Sequence, residues 1–395
     1  MSKIERLIAE LCPSGVEFRA LGDVGQFVRG GGLQKKDFVA EGFPCIHYGQ
    51  IYTYYGSSAS TTKSFVEPAL AAMLKKAATG DLVVTTTSEN VEDVCTAVAW
   101  LGEGEIAIGG HSCVFKHTLD PMYVAYCFQT EQFELQKRKF VTGTKVKEIK
   151  VADIGRIRIP VPPITIQREI ASALGVMEQL KTELQAQLEV ELGCRSRQYS
   201  YYRDQLFMFR DAEAAQWVPL GDVAINHDSR RRPVTKAARE PGEIPYYGAS
   251  GIVDYVSDFI FDGDYLLVSE DGANLLARST PIAFTASGKT WINNHAHVLE
   301  LATYAERRFL EFYLNSIDLT PYISGAAQPK LNKANLSRIP VPQPPLEEQK
   351  RIVGILDKLE ALVNNLRIGL SAEIDLRRRQ YEYYRDRLLI FKEAA

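Results

Sequence analysis

The sequence predicts an α/β chain: two tandem mixed α/β domains, each followed by a long coiled-coil helix. Three observations predict it. First, "SRQYSYYRDQLF", ending at Phe207, returns as "RRQYEYYRDRLL" from Arg378 to Leu389. Eight residues from Arg197 to Leu206 recur between Arg379 and Leu388 at a constant shift of 182. Second, apolar residues recur in steps of three and four ahead of each copy, the spacing of a coiled-coil seam. Third, each half opens with β-like runs interspersed with short helical runs.

The first domain, about 1–163, begins with "MSKIERLIAELCPSG", an amphipathic helix too acidic and too broken for a signal peptide. "LGDV" at Leu21–Val24 recurs at Leu220–Val223. "GDLVVTTTS" (Gly80–Ser88) loosely matches "GDYLLVSED" (Gly263–Asp271), and "GGHSCVF" matches "NNHAHVL", setting His111 against His295. The helical runs at Pro121–Arg138 and Tyr304–Ile317 follow strands in both halves. "RIRIPVPP" (Arg156–Pro163) is answered by "SRIPVPQPP" (Ser337–Pro345), and Q-x-x-I at Gln167–Ile170 by Gln349–Ile352. Paired prolines close an extended segment and allow a helix to start just after them.

The helical regions are therefore set at 164–215 and 345–395, around a second domain at 216–344. The first seam reads Ile170, Leu174, Met177, Leu184, Leu188, Tyr199, Tyr202, Leu206, Phe209; the second reads Ile352, Leu356, Leu359, Val363, Leu366, Leu370, Ile374, Tyr381, Tyr384, Leu388, Phe391. About 45 residues make a helix roughly 70 Å long. Gly193 is a candidate kink. Each helix needs a partner, and the other copy is the obvious one; antiparallel pairing would relate the halves by a pseudo-two-fold axis.

Residue patterns that carry catalytic chemistry are scarce in the chain. "ASGKT" (Ala286–Thr290) has the tail of a phosphate-binding loop but lacks its first glycine, since Ala283 stands there, and strand-like residues follow. Gly30–Gly32 is not a dinucleotide fingerprint. His295 and His297 alternate, as strand residues packing on one face do, and that reading outweighs a metal pair. The six cysteines form no C-x-x-C, which suggests free buried thiols in a reducing compartment. No run of about 18 apolar residues predicts a membrane span, so the cytoplasm is the expected location. No catalytic, cofactor-binding or metal site is assigned.

Nucleic-acid signals are local, since the chain as a whole carries a net charge of −3. Residues 226–239 carry a net +4 and residues 142–158 a net +3, while "RGGGLQKK" (Arg29–Lys36) adds three cations on a flexible backbone. A basic loop thus follows "LGDV" in both halves. Nearby groups able to meet base edges are Tyr48, Tyr52, Tyr54, Thr86, Ser88, Asn90, Tyr246, Tyr247, Asn274, Arg278, Gln328 and Lys330. A solvated loop is the ordinary alternative for any one of them.

The ordered repeat of I-P-V-P-P, Q-R-E-I and E-E-Q-K-R-I, and Y-Y-R-D-x-L resembles the specificity (S) subunit of type I restriction-modification systems, over essentially the whole chain. The resemblance implies two target recognition domains that each read one part of a split, asymmetric double-stranded DNA sequence. It implies an antiparallel helical pair that sets the spacing and docks two modification subunits, which carry S-adenosylmethionine and the adenine-methylating site. Restriction subunits would add ATP- and magnesium-dependent translocation and cleavage, and the S subunit itself would have no catalytic residue. On loop position, the DNA contacts implied are Arg29, Lys35, Lys36, Thr144, Lys145, Arg230, Arg231, Arg232, Gln328 and Lys330. The partner contacts implied are Tyr201, Arg203, Tyr383 and Arg385. A coiled-coil scaffold with peptide-binding domains is the rival reading; only the basic loops argue against it.

Overall fold

In a computed structural model the long helices begin immediately after the paired prolines, at Ile164–Leu206 and Leu346–Leu389. The structure describes residues 2–209, 215–325 and 328–394. A buried glutamine fastens each helix start. Gln167 Nε2 donates to the Pro162 carbonyl at 2.7 Å, and Gln349 Nε2 to the Pro344 carbonyl at 3.0 Å. Gln167 also accepts from the Asp120 amide at 3.0 Å. The recurring Q-x-x-I is therefore a polar latch followed by a core anchor, because Ile170 and Ile352 are fully buried.

The chain divides into two compact units, Met1–Gln187 with Ala372–Ala395, and Leu188–Ser371. Each unit holds one globular domain and segments of both long helices. In the first unit Met177 shares a groove with Tyr384 and Leu388, Lys181 lies 4.5 Å from the Tyr381 ring centroid, and Leu184 meets Ile374. In the second unit Tyr199 and Leu206 pack on the cluster containing Leu356, with Leu359 beside them. Rising numbers meet falling numbers, so the helical segments run antiparallel within each unit.

The seam is thinner than its periodicity predicts. Ile170, Leu174, Ile352 and Leu356 are fully buried against the domains, whereas Leu366 is 38% exposed and Tyr202 and Tyr384 are 46% and 41% exposed. Two helices alone cannot cover both flanks of a seam position, so only residues under a domain are closed off. Helical structure is continuous through Gly175, Gly193, Gly354 and Gly369, and no break falls at Gly193.

In the first domain one five-stranded sheet has the order Gly25–Arg29, Ser112–His117, Leu82–Thr85, Ala97–Trp100, Ser58–Ala59. A second five-stranded sheet runs Phe38–Val39, Ser64–Val66, Phe43–Ile46, Ile106–Ile108, Lys76–Ala77. The second domain has a six-stranded sheet, ordered Ile225–Asn226, Ala296–Glu300, Phe261–Ser269, Ala283–Ile292, Pro241–Gly248, Gly251–Val256. "ASGKT" lies inside the strand Ala283–Ile292, paired residue by residue with Phe261–Tyr265, so it is a strand segment and not a phosphate-wrapping loop. The helical run at Pro121–Arg138 is two helices, Pro121–Cys127 and Glu131–Lys137, the second capped by the Thr130 side chain on the Phe133 amide.

"LGDV" forms a four-residue helical turn in both domains. Leu21 N–H donates to the Ile157 carbonyl and Leu220 N–H to the Ile339 carbonyl, each at 2.9 Å. The acceptors differ by the same 182 residues. The glycine sits in close packing: a Cβ on Gly221 would lie 3.0 Å from Ser337 Cβ, and one on Gly22 3.2 Å from the Gly155 oxygen, so either neighbour would have to shift by a few tenths of an ångström. Cys45, Cys95, Cys113 and Cys127 are buried free thiols, and burial pushes Cys45 up to about 12; Cys194 is exposed, against expectation.

Leu356→Ala is expected to lower the stability of the second unit by about 2–5 kcal/mol, as a fully buried anchor, whereas Leu362→Ala, 60% exposed on the same helix, should change it by about 0.5 kcal/mol or less. Urea unfolding of the two variants checks the contrast.

Candidate nucleic-acid interface

In each domain three loops are laced together by main-chain hydrogen bonds at the end of the central strands. In the first, Thr86 N–H donates to the His111 carbonyl at 2.9 Å, and Ile149 N–H to the Thr86 carbonyl at 3.0 Å. In the second, Glu270 N–H donates to the His295 carbonyl at 2.9 Å, and Leu331 N–H to the Glu270 carbonyl at 2.7 Å. Strand register fixes the equivalence. Ser112 pairs with Thr85 as Ala296 pairs with Ser269, so the match of His111 with His295 is structural.

The third loop of each set is a six-residue closure. Thr142 and Glu148 exchange both main-chain bonds at 2.9 Å, and Ser324 and Lys330 do so at 2.8 Å. These pairs too differ by 182. Gly143 and Gly325 follow the first member with φ of 97° and 85°, where a side chain would be strained. The basic residues of this loop are evident in the sequence, but the loop shared by both domains is marked there only by a glycine at the same shift, Gly143 and Gly325.

The first domain gathers a basic and aromatic surface around this lacing. Arg29 ends its strand opposite Cys113 and reaches within 3.9 Å of Glu148. Behind it Gly30 passes so close to Gly109 that a Cβ would sit 2.0 Å from the Gly109 oxygen. Lys35 and Lys36 lie exposed on a short 3-10 turn, and Thr144 and Lys145 are exposed at the tip of the closed loop. Tyr48 stacks obliquely on His111, with centroids 4.9 Å apart, and on His47 at 4.5 Å. Burial lowers the His47 pKa, and the Lys35 charge lowers it further. Thr86 and Ser88, expected to meet bases, are buried.

In the second domain the three consecutive arginines go to three places. Arg230 is exposed, with its guanidinium 4.6 Å from the Phe261 ring centroid. Arg232 is exposed while its carbonyl accepts from Trp291 Nε1 at 2.7 Å. Arg231 turns inward. Its Nη1 donates to Glu270 Oε2 at 2.5 Å and to the Ala296 carbonyl at 2.9 Å, and Nη2 lies 3.5 Å from Asp228. A guanidinium so engaged has few donors left for phosphate. Lys330 Nζ pairs with Glu270 Oε1 at 3.0 Å with half its side chain exposed, and Gln328 is exposed beside it. Tyr246 is buried with its hydroxyl on Val234, and Arg278 is half-buried and donates to the Ile317 carbonyl, so both hold loops in place.

Asp228, Glu270 and His297 bring ligand-type atoms within 4.8 Å of one another. Both His297 nitrogens are already engaged, Nδ1 with Asp228 Oδ2 at 2.6 Å and Nε2 with the Leu331 carbonyl at 2.7 Å. His295 points elsewhere, to Asp271 at 2.9 Å, so the alternating histidines are not a pair. Burial pushes the Asp228 carboxyl up, but the hydrogen bond and charge of His297 and the Val298 amide outweigh it and hold it at about 2. Burial likewise raises Glu270, and hydrogen bonds from Arg231 and Lys330 bring it below the ordinary range.

On the long helices Tyr201 and Tyr383 are 61% and 57% exposed. Each makes an edge-on pair with the next tyrosine, at 5.5 and 5.4 Å. Arg203 and Arg385 fold back on Asp204 and Asp386, at 2.7 and 2.8 Å. Beside the first tyrosine pair, a cleft of about 670 Å³ in the second unit is lined by Tyr199, Arg203, Arg278 and Arg367.

Two domains with one loop frame and different side chains, both carried on long helices, make up a two-module binding protein. Residues 13–193 and 213–376 match the type I restriction modification DNA specificity domain, and the chain belongs to that family. It is 41% identical over 187 residues to a putative type I restriction enzyme specificity subunit of Haemophilus influenzae, covering 46% of this chain and 48% of that protein. The chain thus spans about half the length of that relative. It is 30% identical over 256 residues to a putative type I specificity subunit of Mycoplasma pneumoniae, covering 61% of this chain and 96% of that one. A type I restriction enzyme specificity subunit of Escherichia coli is 29% identical over 296 residues, covering 68% and 70%. The fold is similar to a chain solved in work on complex assembly and conformational transition of the type I R-M system, with TM-score 0.72, 18% identity, and 95% and 98% covered. It is also similar to the HsdS subunit from Thermoanaerobacter tengcongensis, with TM-score 0.53, 19% identity, and 96% and 97% covered. Among the described residues no helix is long and apolar enough to cross a membrane.

A carboxyl held low in the fold contributes stability above its ordinary range and loses it as pH falls. Asp228→Asn should therefore cost on the order of 2 kcal/mol at neutral pH, and the gap to the unsubstituted chain should close between about pH 4 and pH 2. Unfolding curves at stepped pH check this; a gap that stays constant into acid refutes it.

Proposed function

We propose that this chain is the non-catalytic DNA specificity subunit of a type I restriction-modification assembly. Each laced loop set reads one part of a bipartite, asymmetric duplex target, and the helical pair sets the spacing between the parts. The observation that carries the reading is the doubled loop frame. The same main-chain lacing stands beside Arg29, Lys35, Lys36, Thr144 and Lys145 in one copy and Arg230, Arg232, Gln328 and Lys330 in the other. Matching lacing with unlike side chains suits a target whose two halves differ. Cations on these loops would fix the domain on the phosphates, and the neighbouring polar and aromatic groups would meet base edges. The net charge of −3 suits a chain that leaves much of the phosphate contact to partners.

The partners proposed are two modification subunits, docked on the helices at the exposed Tyr201 and Tyr383, and restriction subunits joined through that core. S-adenosylmethionine would belong to the modification subunits, and ATP with magnesium to the restriction subunits. This chain would hold no cofactor, and the assembly would work in the cytoplasm. Arg203 and Arg385, paired to the aspartates beside them, would orient the helix surface around the tyrosines.

With its modification partner the chain should direct adenine methylation to a two-part sequence. Replacing residues 216–344 by another recognition domain should change one part only, as read by mapping methylated adenines; change in both parts, or in neither, defeats the modular reading. Duplex binding by the assembly should weaken steeply with salt, since phosphate contacts release counterions. Tyr201→Asp with Tyr383→Asp should reduce recovery of the modification subunit in co-purification while the chain's own unfolding midpoint stays near that of the original.

A further inference from the structure

The two domains fasten the same loop frame in chemically different ways. Strand register and the lacing bonds place His297 where the first domain has Cys113, Glu270 where it has Thr86, and Lys330 where it has Glu148; Asp228, two residues past the strand Ile225–Asn226, stands against His297 as Arg29 stands opposite Cys113. In the first domain these positions hold one long, half-exposed ion pair, Arg29 with Glu148 at 3.9 Å. Cys113 is a buried thiol there, and the Thr86 hydroxyl is buried with no hydrogen-bond partner among the described residues.

In the second domain the same positions hold a closed charge lattice. The side chains of His297, Asp228, Glu270 and Arg231 are 1%, 8%, 11% and 13% exposed. The His297 ring sits between the Asp228 carboxylate and the Leu331 carbonyl, at 2.6 and 2.7 Å. Asp228 and Glu270 face the positive charge of Arg231, and Glu270 that of Lys330 as well. The lattice ties together 228–231, 270, 297 and 330–331, which include every segment of the laced loop set. Glu270 alone bridges Arg231 on the basic loop to Lys330 on the closed loop.

We infer that Asp228, Glu270, His297 and Arg231 are positioning residues that hold the second domain's reading loops in register, so that discrimination at one half of the target depends on a buried charge lattice while the other half does not. The inference rests on the function proposed above. Base discrimination needs donors and acceptors placed to within a fraction of an ångström, and a loop pinned by several charge-assisted bonds keeps that placement better than one held by main-chain bonds alone. Arg231 serves DNA reading indirectly, through Glu270.

The test uses the full assembly of this chain with its modification partner. Glu270→Gln keeps the shape of the bridge and removes its charge. Adenine-methylation maps should show methylation at sites altered in the half read by residues 216–344 rising on the order of ten-fold, with the other half as strict as before. A control that removes an exposed charge away from the laced loops of the first domain, Glu103→Gln, should leave both halves unchanged. Should E270Q fail to fold because the Arg231 charge is left unpaired, the double variant Arg231→Gln/Glu270→Gln removes both charges and should relax the same half. Thermal unfolding reports folding independently. Folded variants that keep both halves strict, or that relax both halves equally, overturn the inference and leave the function standing. An unsubstituted assembly that methylates no two-part target overturns the function and this inference with it.

Discussion

The structure depends on main-chain hydrogen bonds that lace three loops at the end of each central sheet. Thr86 to His111 and Ile149 to Thr86, and their counterparts Glu270 to His295 and Leu331 to Glu270, are made by atoms every residue type supplies. A loop held this way keeps its path while its side chains change. This gives a physical reason for closely matched ends around poorly matched middles. The residues that recur each have a local duty: the LGDV glycines sit in close packing, Gln167 and Gln349 latch the helix starts, and Gly143 and Gly325 accept a positive φ.

The same distinction explains what could be read from the sequence. Long helices, their starts after Pro163 and Pro345, the two-domain order and the pairing of His111 with His295 were legible, because each rests on periodicity or on a residue with a local duty. The lacing was not legible, since a main-chain bond leaves no mark on residue type. The triple arginine misled in part: its charges looked equivalent in sequence, yet Arg231 is drawn inward by two buried carboxylates while Arg230 and Arg232 stay out. Nothing local to "SRRR" reveals that Glu270, 39 residues on, waits for the middle guanidinium. The seam tyrosines show a similar limit, because a three-four step identifies a face and not how much of it a partner covers; Tyr381 is 5% exposed and Tyr384 41%.

A charge lattice is a costly way to fix a loop. Moving carboxylates and a guanidinium out of water carries a penalty that apolar packing avoids, and buried ion pairs are often replaceable by hydrophobic residues without loss of stability. Stability alone is therefore a poor reason for the second domain to hold Asp228, Glu270, His297 and Arg231 where the first holds Arg29, Thr86 and Cys113. What the lattice adds is direction. Each of its bonds demands a particular donor opposite a particular acceptor, so the loops have one well-satisfied arrangement and displaced ones leave a charge unpaired. In the first domain the laced loops also pair as a two-stranded ladder, Lys147–Glu148 with Thr87–Ser88, where the second domain has the isolated bridge Asp271–Lys330. Loops with less ladder pairing between them have more to gain from bonds that tolerate only one geometry.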